Sequence, residues 1–264
     1  MSPGRALRPA QRRDQIAELV VARGAVTAQD LAQEFDVSVM TVHRDLDDLE
    51  QRGILRKSRG TATAQPSGVF ESTVAYRMKA NLPQKQLVAK HAARFVEPGM
   101  SVMLDDSTTA LQMLPHLEKL TPLKVATNFM EVLRRLAGAV DVGLIAIGGD
   151  YDPQHDSFLG VACLEAIDAI RVDATFLSTS AASGALAFHQ EQQIVSFKRA
   201  MLDAATRRYL LLDHTKVGKT ALYRLVPLAD FDAVVVDPGA PAEILDEFRQ
   251  HGAKVEVATH DPPQ

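Results

Sequence analysis

From residue 101 to residue 250 the chain repeats one pattern, a short and almost uninterrupted apolar run followed by a stretch of helical spacing. The runs are Ser101-Val102-Met103-Leu104, Lys124-Val125-Ala126, Val142 to Ile147, Ala174 to Leu177, Tyr209 to Leu212 and Ala233 to Val236. Helical stretches fall at 108–120, 129–137, 191–206 and 241–250. A strand that is apolar at nearly every residue is covered on both faces, and intervening helices are what cover it. The pattern therefore predicts an α/β fold with a mostly parallel sheet. A further helix is expected at 84–97, with Leu87, Ala92 and Phe95 inward and Glu97-Pro98-Gly99 as its stop.

In such sheets ligands bind beyond the carboxyl ends of the strands. Asp105-Asp106-Ser107-Thr108-Thr109 follows the first run and opens a helix, where hydroxyls and main-chain N–H groups can hold an anion. Thr127-Asn128 follows the second run. Gly148-Gly149 follows the third, where small residues permit close approach of the main chain to a ligand. Asp213-His214-Thr215-Lys216 follows Tyr209 to Leu212. Lys198 and Lys216 can supply fixed positive charge, and Asp105 and Asp213 can accept sugar hydroxyls. Singly, each cluster also reads as a cap, a turn or a solvated side chain. Together, on one edge of one sheet, they describe a pocket for a small phosphorylated or polyhydroxy ligand.

The first sixty residues have a different organisation. Ile16, Leu19 and Val20 lie at helical spacing and Gly24 closes the helix. Thr27 with Asp30 three residues on opens a second helix carrying Leu31 and Phe35. Asp36-Val37 is a short turn, and Ser38 caps a third helix whose Val42, Leu46 and Leu49 face inward, with Gly53 at its end. Two helices about a tight turn, at 25–44, form a helix-turn-helix. Its second helix presents Ser38, Met40, Thr41, His43 and Arg44 at the end that enters a DNA major groove. Ile54 to Gly60 reads as a wing, with Arg56, Lys57 and Arg59 available to phosphates. Asp45, Asp47, Asp48 and Glu50 weigh against DNA contact on their own face, unless Asp45 positions an arginine.

Charge is uneven along the chain. The whole carries −4, yet residues 1–62 hold ten basic against nine acidic side chains, leaving 19 against 24 in the remainder. A net-acidic chain excludes a global field for polyanions, so nucleic-acid affinity must come from a local cluster. The low aromatic content and the absence of Trp exclude a stacking groove for single strands. One cysteine, Cys163, excludes a disulfide framework and a CxxC metal site; its apolar setting predicts a buried, inert thiol. No apolar run reaches membrane-spanning length, and the arginines near the N-terminus do not lead into a signal peptide, so a cytoplasmic protein without membrane partners is expected. Gly218-Lys219-Thr220 lacks the earlier glycine of a phosphate loop, and His155, His189 and His214 have no metal-ligand spacing. No metal and no cofactor is expected.

The run Val37-Ser38-Val39-Met40-Thr41-Val42-His43-Arg44-Asp45-Leu46-Asp47-Asp48-Leu49-Glu50, followed by Gly53-Ile54-Leu55-Arg56, resembles the DeoR family of bacterial transcriptional regulators. His43 stands where that family usually has the first of two arginines, and Arg59-Gly60-Thr61-Ala62 replaces its paired glycines. The resemblance continues through Asp105 to Thr109, Thr127-Asn128, Gly148-Gly149, Phe158-Leu159-Gly160, Lys198-Arg199-Ala200-Met201 and Asp213 to Lys216, spanning roughly 8–258. It implies a sensor domain similar to sugar-phosphate isomerases. It places Ser107, Thr108, Thr109 and Lys216 near an effector phosphate, and Asp105, Asn128 and Lys198 near its sugar. It further implies a repressor of a sugar-utilisation operon that binds double-stranded operator DNA, is released by a phosphorylated sugar, and forms a homo-oligomer (dimer or tetramer).

The expected organisation is a winged helix-turn-helix at 8–63, a linker at 64–80 suggested by the Thr-, Ala-, Ser- and Pro-rich stretch from Thr61 to Ser72, and an effector-sensing α/β domain at 81–258. The competing reading is a sugar-phosphate isomerase or lyase with Asp105 or Asp213 as general base. A regulator of opposite sign, an activator, also fits the residues.

Overall fold

The structure is a computed structural model that describes residues 8–51, 54–58, 60–64 and 74–259. The chain divides into two compact units, Met1–Tyr76 and Arg77–Gln264.

In the first unit α1 (Pro9–Arg23) starts at a proline and ends at Gly24, whose φ of +76° suits glycine. β1 (Ala25–Thr27) leads directly into α2 (Ala28–Glu34), capped by the Thr27 hydroxyl, which accepts the Asp30 N–H at 3.1 Å. Ser38 does the same for α3 (Val39–Gln51), accepting the Thr41 N–H at 3.1 Å. β2 (Leu55–Ser58) and β3 (Thr61–Ala64) form the wing. Gly53, Arg59 and 65–73 of the expected linker lie outside the described residues. Thr61 to Ala64 do not begin that linker. They are the central strand of a three-stranded antiparallel sheet in the order β1-β3-β2. Pairing on both sides and burial of Ala62 override the weak strand preference of Thr-Ala repeats. Ile16, Val20, Leu31, Val42, Leu46, Leu49 and Leu55 form the core, and Tyr76, in the short helix α4 (Val74–Arg77), packs against it.

Asp45 is buried in this core and meets Arg12 of α1, Nε to Oδ2 at 2.6 Å, so the arginine that Asp45 positions belongs to the first helix.

The second unit opens with α5 (Leu82–Ala92) and a 3-10 turn, Ala93–Phe95. The buried stripe of α5 is Lys85, Val88, Ala89 and Ala92, with Leu87 only half-buried. β4 (Ser101–Leu104) follows. The expected helix at 108–120 is a 3-10 turn, Ala110–Met113, then the short α6 (Leu114–Leu117). Pro115 has no N–H to continue a longer ladder. The chain continues through β5 (Leu123–Thr127), α7 (Met130–Leu136), β6 (Val142–Ala146), the hairpin β7 (Asp150–Asp152) and β8 (Ser157–Leu159), and α8 (Val161–Asp168). It then forms β9 (Val172–Leu177), β10 (Ala181–Ser183), β11 (Leu186–His189), α9 (Gln192–Asp203), β12 (Ala205–Leu212), β13 (Tyr223–Pro227), β14 (Ala233–Val236), α10 (Ala242–Gln250) and β15 (Val255–Val257).

Seven strands form one all-parallel sheet in the order β15-β14-β12-β9-β4-β5-β6. β10, β11 and β13 make a small antiparallel sheet. Alternate residues of the central strands face opposite layers. Leu210 and Leu212 pack with Val195 and Leu202 of α9 and with Leu245 and Phe248 of α10. Tyr209, on the opposite face, stacks on Phe95 at 4.5 Å and Phe176 at 4.8 Å between ring centroids. The chain moves outward from β4 through β5 to β6, then returns to β9 and moves the other way. The strand order thus reverses between β4 and β9, the position where open α/β sheets hold ligands. Register aligns their ends, with Leu104 paired to Thr127 on one side and to Phe176 on the other.

Removing Asp45 leaves Arg12 buried without its carboxylate. Asp45→Ala should destabilise the N-terminal unit by about 3–5 kcal/mol. Calorimetry should show one transition move to lower temperature while the transition of the second unit stays in place; coincident movement of both would contradict it.

Candidate functional site

The end of β4 is built on a buried lysine. Lys198 of α9 donates to Asp105 Oδ2 at 2.5 Å and lies 3.6 Å from Asp106 Oδ1, with all three side chains buried. Asp105 also accepts the Ser107 N–H at 3.0 Å and the Ser178 N–H, just past β9, at 2.9 Å. Asp106 accepts the Ser157 hydroxyl of β8 at 2.9 Å. Burial acts to lower the Lys198 pKa, but the two carboxylates outweigh it and hold the ammonium above its ordinary value. Burial likewise acts to raise the Asp106 pKa, and Lys198, His155 and Arg77 together hold it below its ordinary value. Lys198 and Asp105 are thus engaged with each other.

A second polar group lies between α5, β4 and β12. Lys85 donates to the Thr108 hydroxyl at 3.0 Å, so a lysine on the buried stripe of α5 meets the loop after β4. Asp213 caps the turn His214–Lys216 and accepts the Thr215 N–H at 3.2 Å, the Thr215 hydroxyl, and the Asn81 amide at 3.1 Å. Burial acts to raise the Asp213 pKa, but Lys216, Thr215 and Lys85 hold it below its ordinary value, so both lysines lie within electrostatic reach of this carboxylate. Lys216 donates to the Ser178 hydroxyl at 2.9 Å and so links this group to the Asp105 centre.

The remaining expected residues join the same edge in different ways. Ser107 accepts the Ala110 N–H at 3.0 Å and Thr127 accepts the Phe129 N–H at 3.1 Å, which makes both hydroxyls local caps. Asn128 donates to the Phe158 carbonyl at 2.9 Å and anchors the β7–β8 hairpin. The hydroxyl of Thr109, Oδ1 of Asn128 and Oδ2 of Asp213 are buried with no hydrogen-bond partner. Gly149 (φ +145°) has its close approach to the Leu159 carbonyl, which a Cβ would meet at 2.3 Å, and Gly148 is exposed.

The sequence pattern gives Lys85 and Ser178 no role, names Asp106 only within the run after β4, and names His155 only among histidines without metal-ligand spacing. His155 is buried and bonds Glu191 at 3.1 Å. Burial acts to lower its pKa, but Glu191 and Asp106 raise it above the ordinary value. Lys85 had a signal, since it occupies the i position of an i, i+3, i+4, i+7 buried stripe. Cys163 is buried, and burial pushes its pKa up to about 12. His155, His189 and His214 do not cluster, and the described residues contain no metal-ligating group of three.

In the N-terminal unit Met40 is 63% exposed and Arg44 and Arg56 are exposed, while Thr41 and His43 are half-buried. The acidic residues of α3 are paired internally: Asp48 with Arg13 at 2.7 Å, Asp47 with Lys57, and Glu50 with the Lys57 N–H at 2.7 Å. Lys57 is therefore tied to α3. Arg44 and Arg56 have no ion-pair partner among the described residues, so α3 and the wing each keep one uncommitted cation.

Replacing Lys198 by Met should remove the buried cation that Asp105 and Asp106 share. In the native protein Asp106 titrates below its ordinary 3.8, so its contribution is present above that pH and lost as pH falls. In Lys198→Met the Asp106 pKa rises, and stability should instead fall as pH rises. Denaturant unfolding should show the variant about 3–5 kcal/mol less stable at about pH 7, with the gap narrowing toward about pH 4. A gap independent of pH would refute the assignment.

No helix among the described residues is long and apolar enough to cross a membrane. Comparison with known proteins matches residues 12–67 to the DeoR-like helix-turn-helix domain and residues 80–238 to the DeoR C-terminal sensor domain. The chain is 31% identical over 233 residues to YgbI, an uncharacterised HTH-type transcriptional regulator of Escherichia coli (strain K12), covering 88% of this chain and 91% of that protein. It is 26% identical over 253 residues to the glycerol-3-phosphate regulon repressor of the same organism, covering 95% of this chain and all of the relative. Among solved structures, ribose 5-phosphate isomerase A from Methanocaldococcus jannaschii aligns over 52% of this chain and 55% of its own, with 20% identity and a TM-score of 0.36. The family consists of regulators, which sets aside the reading of the chain as an isomerase or lyase. The protein belongs to the DeoR family and is a DNA-binding transcriptional regulator with a C-terminal sensor domain.

Proposed function

We propose that the protein is a repressor whose hold on operator DNA is released by a small phosphorylated sugar or polyol bound at the carboxyl edge of the sheet. One observation carries the reading: three buried, unpartnered polar atoms, on Thr109, Asn128 and Asp213, follow three strands of one parallel sheet in a region that also holds Lys85, Lys198 and Lys216. Unpaired buried polar atoms are costly, and such an edge is where a polar ligand would satisfy them.

Lys85, Thr108, Thr109 and Lys216 are assigned to the phosphate, and Asn128 and Asp213 to hydroxyls. Asp105 and Lys198 act as the brace that holds these groups in position, with Ser107, Thr127, Gly148 and Gly149 shaping the loops. The glycerol-3-phosphate regulon repressor is a relative whose name joins repression to a phosphorylated polyol, and we carry that ligand class to this chain. At the other end Arg44 is assigned to base or phosphate contact beside Ser38, Met40, Thr41 and His43, and Arg56 to phosphate in the wing, with Lys57 and Arg59 on the same hairpin. A homo-oligomer, dimer or tetramer, would present two recognition helices to a symmetric operator.

Arg44→Ala should lower affinity for a duplex from the promoter of the protein's own gene by about 1–3 kcal/mol, or reduce the salt slope of binding by about one. A titration with neither change removes Arg44 from the interface. Lys216→Ala should bind that duplex normally and no longer be released by the effector, which a thermal-shift screen of phosphorylated sugars would identify as the compounds that raise the melting temperature. Normal release of Lys216→Ala would refute the pocket, and shifts with unphosphorylated sugars alone would refute its anionic ligand.

A further inference from the structure

The first residues of the sensor unit lie on the site itself. The main-chain oxygen of Arg77 accepts from Lys85 Nζ at 2.5 Å and from the Thr108 hydroxyl at 3.1 Å. An oxygen held between an ammonium and a hydroxyl stands where the oxygen of an anionic ligand would stand. Four residues later Asn81, in the left-handed conformation (φ +52°), donates through Nδ2 to Asp213 Oδ1 and to the Thr215 hydroxyl, each at 3.1 Å. Its carbonyl accepts the Lys85 N–H at 3.0 Å. The Arg77 guanidinium lies 3.3 Å from His155 Nδ1. Residues 77–81 are therefore fastened at one end to the loop after β4 and at the other to the loop after β12. The residue before Arg77 in the chain, Tyr76, packs on the core of the N-terminal unit.

We infer that residues 77–81 are an internal competitor of the effector. The inference rests on the effector-site reading above and adds how occupancy is sensed. The Arg77 carbonyl holds the place of an effector oxygen on Lys85 and Thr108, and the Asn81 amide covers Asp213. A phosphorylated ligand takes both positions by displacing the segment, which is also the first stretch of chain after the DNA-binding unit. The ligand binds the segment-off state and the segment binds the ligand-free state, so the two are linked with equal and opposite effect.

The segment contains two trypsin sites, after Arg77 and after Lys79, and residues 60–76 contain neither lysine nor arginine. Cleavage at these bonds therefore reports on docking directly. Full-length protein is digested briefly with and without inorganic phosphate, fragments are identified by mass, and phosphate binding is followed by melting temperature. Phosphate should raise the melting temperature and speed cleavage after Arg77 and Lys79 several-fold. Asn81→Ala, and more strongly Asn81→Asp, which sets a carboxylate against Asp213, should speed cleavage without phosphate. Each should also tighten phosphate binding, about tenfold for Asn81→Ala, which corresponds to about 1.4 kcal/mol. If phosphate raises the melting temperature but leaves cleavage unchanged or slows it, the segment is a wall of the site and the competitor inference fails while the site stands. Cleavage of both Asn81 variants at the native rate overturns it equally. If phosphate alters neither melting temperature nor cleavage in any variant, the anion-site reading fails and takes the inference with it.

Discussion

The sensor unit is organised around the Lys198 ammonium and the two carboxylates it meets. Asp105 and Asp106 directly follow the interior strand β4, and each carries a further contact that fixes another element. Through Ser178 the Asp105 carboxylate holds the end of β9, and through Ser157 the Asp106 carboxylate holds the β7–β8 hairpin. A buried ion group of this kind adds little net stability over apolar packing. Its charges do require particular partners, and those partners bring α9, β4, β9 and the hairpin together. That arrangement lies at the reversal of strand order, and the polar groups that face the crevice are the ones this brace leaves over.

The same economy of charge explains how a chain of net −4 can carry a DNA-binding module. The recognition helix α3 holds four acidic residues, a poor composition for approaching a polyanion. Arg12 and Arg13 of α1 neutralise Asp45 and Asp48 from behind, and Lys57 of the wing neutralises Asp47. Six of the module's charges are thereby converted into supports that fix the tilt of α3 against α1 and the wing. Arg44 and Arg56 remain exposed, and a local cluster of this size is what phosphate neutralisation needs.

Much of this was legible in the sequence because the informative signals are local. Parallel strands covered on both faces read as apolar runs, so β4, β5, β9, β12 and β14 are legible with the loops at their ends, and β6 reads the same way although it is an edge strand with no buried residue. Thr27 and Ser38 announced their helices by hydroxyls at capping spacing. The hairpin β7–β8, the sheet of β10, β11 and β13, and β15 escaped, since most have three residues, too few to show a period. Thr61 to Ala64 suggested a linker because tertiary pairing, absent from local composition, makes them a strand. The lysines were the instructive case. The sequence pattern offers Lys198 as fixed charge for a ligand and gives Lys85 no role, yet both occupy buried stripes, Lys198 with Ile194, Phe197 and Met201, and Lys85 with Val88, Ala89 and Ala92. A lysine on the inward stripe of an otherwise apolar helix marks a carboxylate, hydroxyl or ligand waiting inside.

The unpartnered atoms at the carboxyl edge also bear on how tightly sensing can be coupled to DNA binding. Thr109, Asn128 and Asp213 each keep a buried oxygen without a hydrogen bond, and an unmet buried polar group costs about 1–3 kcal/mol. A ligand that satisfies even one recovers free energy of the size by which allosteric sites are usually coupled, about 1–3 kcal/mol. In the ligand-free protein part of the site is already satisfied from within, by the Arg77 carbonyl on Lys85 and Thr108 and by the Asn81 amide on Asp213. On the proposed reading, the ligand's advantage is the difference between what it offers and what residues 77–81 offer. Tight binding of a metabolite would by itself release no DNA; release requires that the metabolite bind the DNA-free state more tightly than the DNA-bound one.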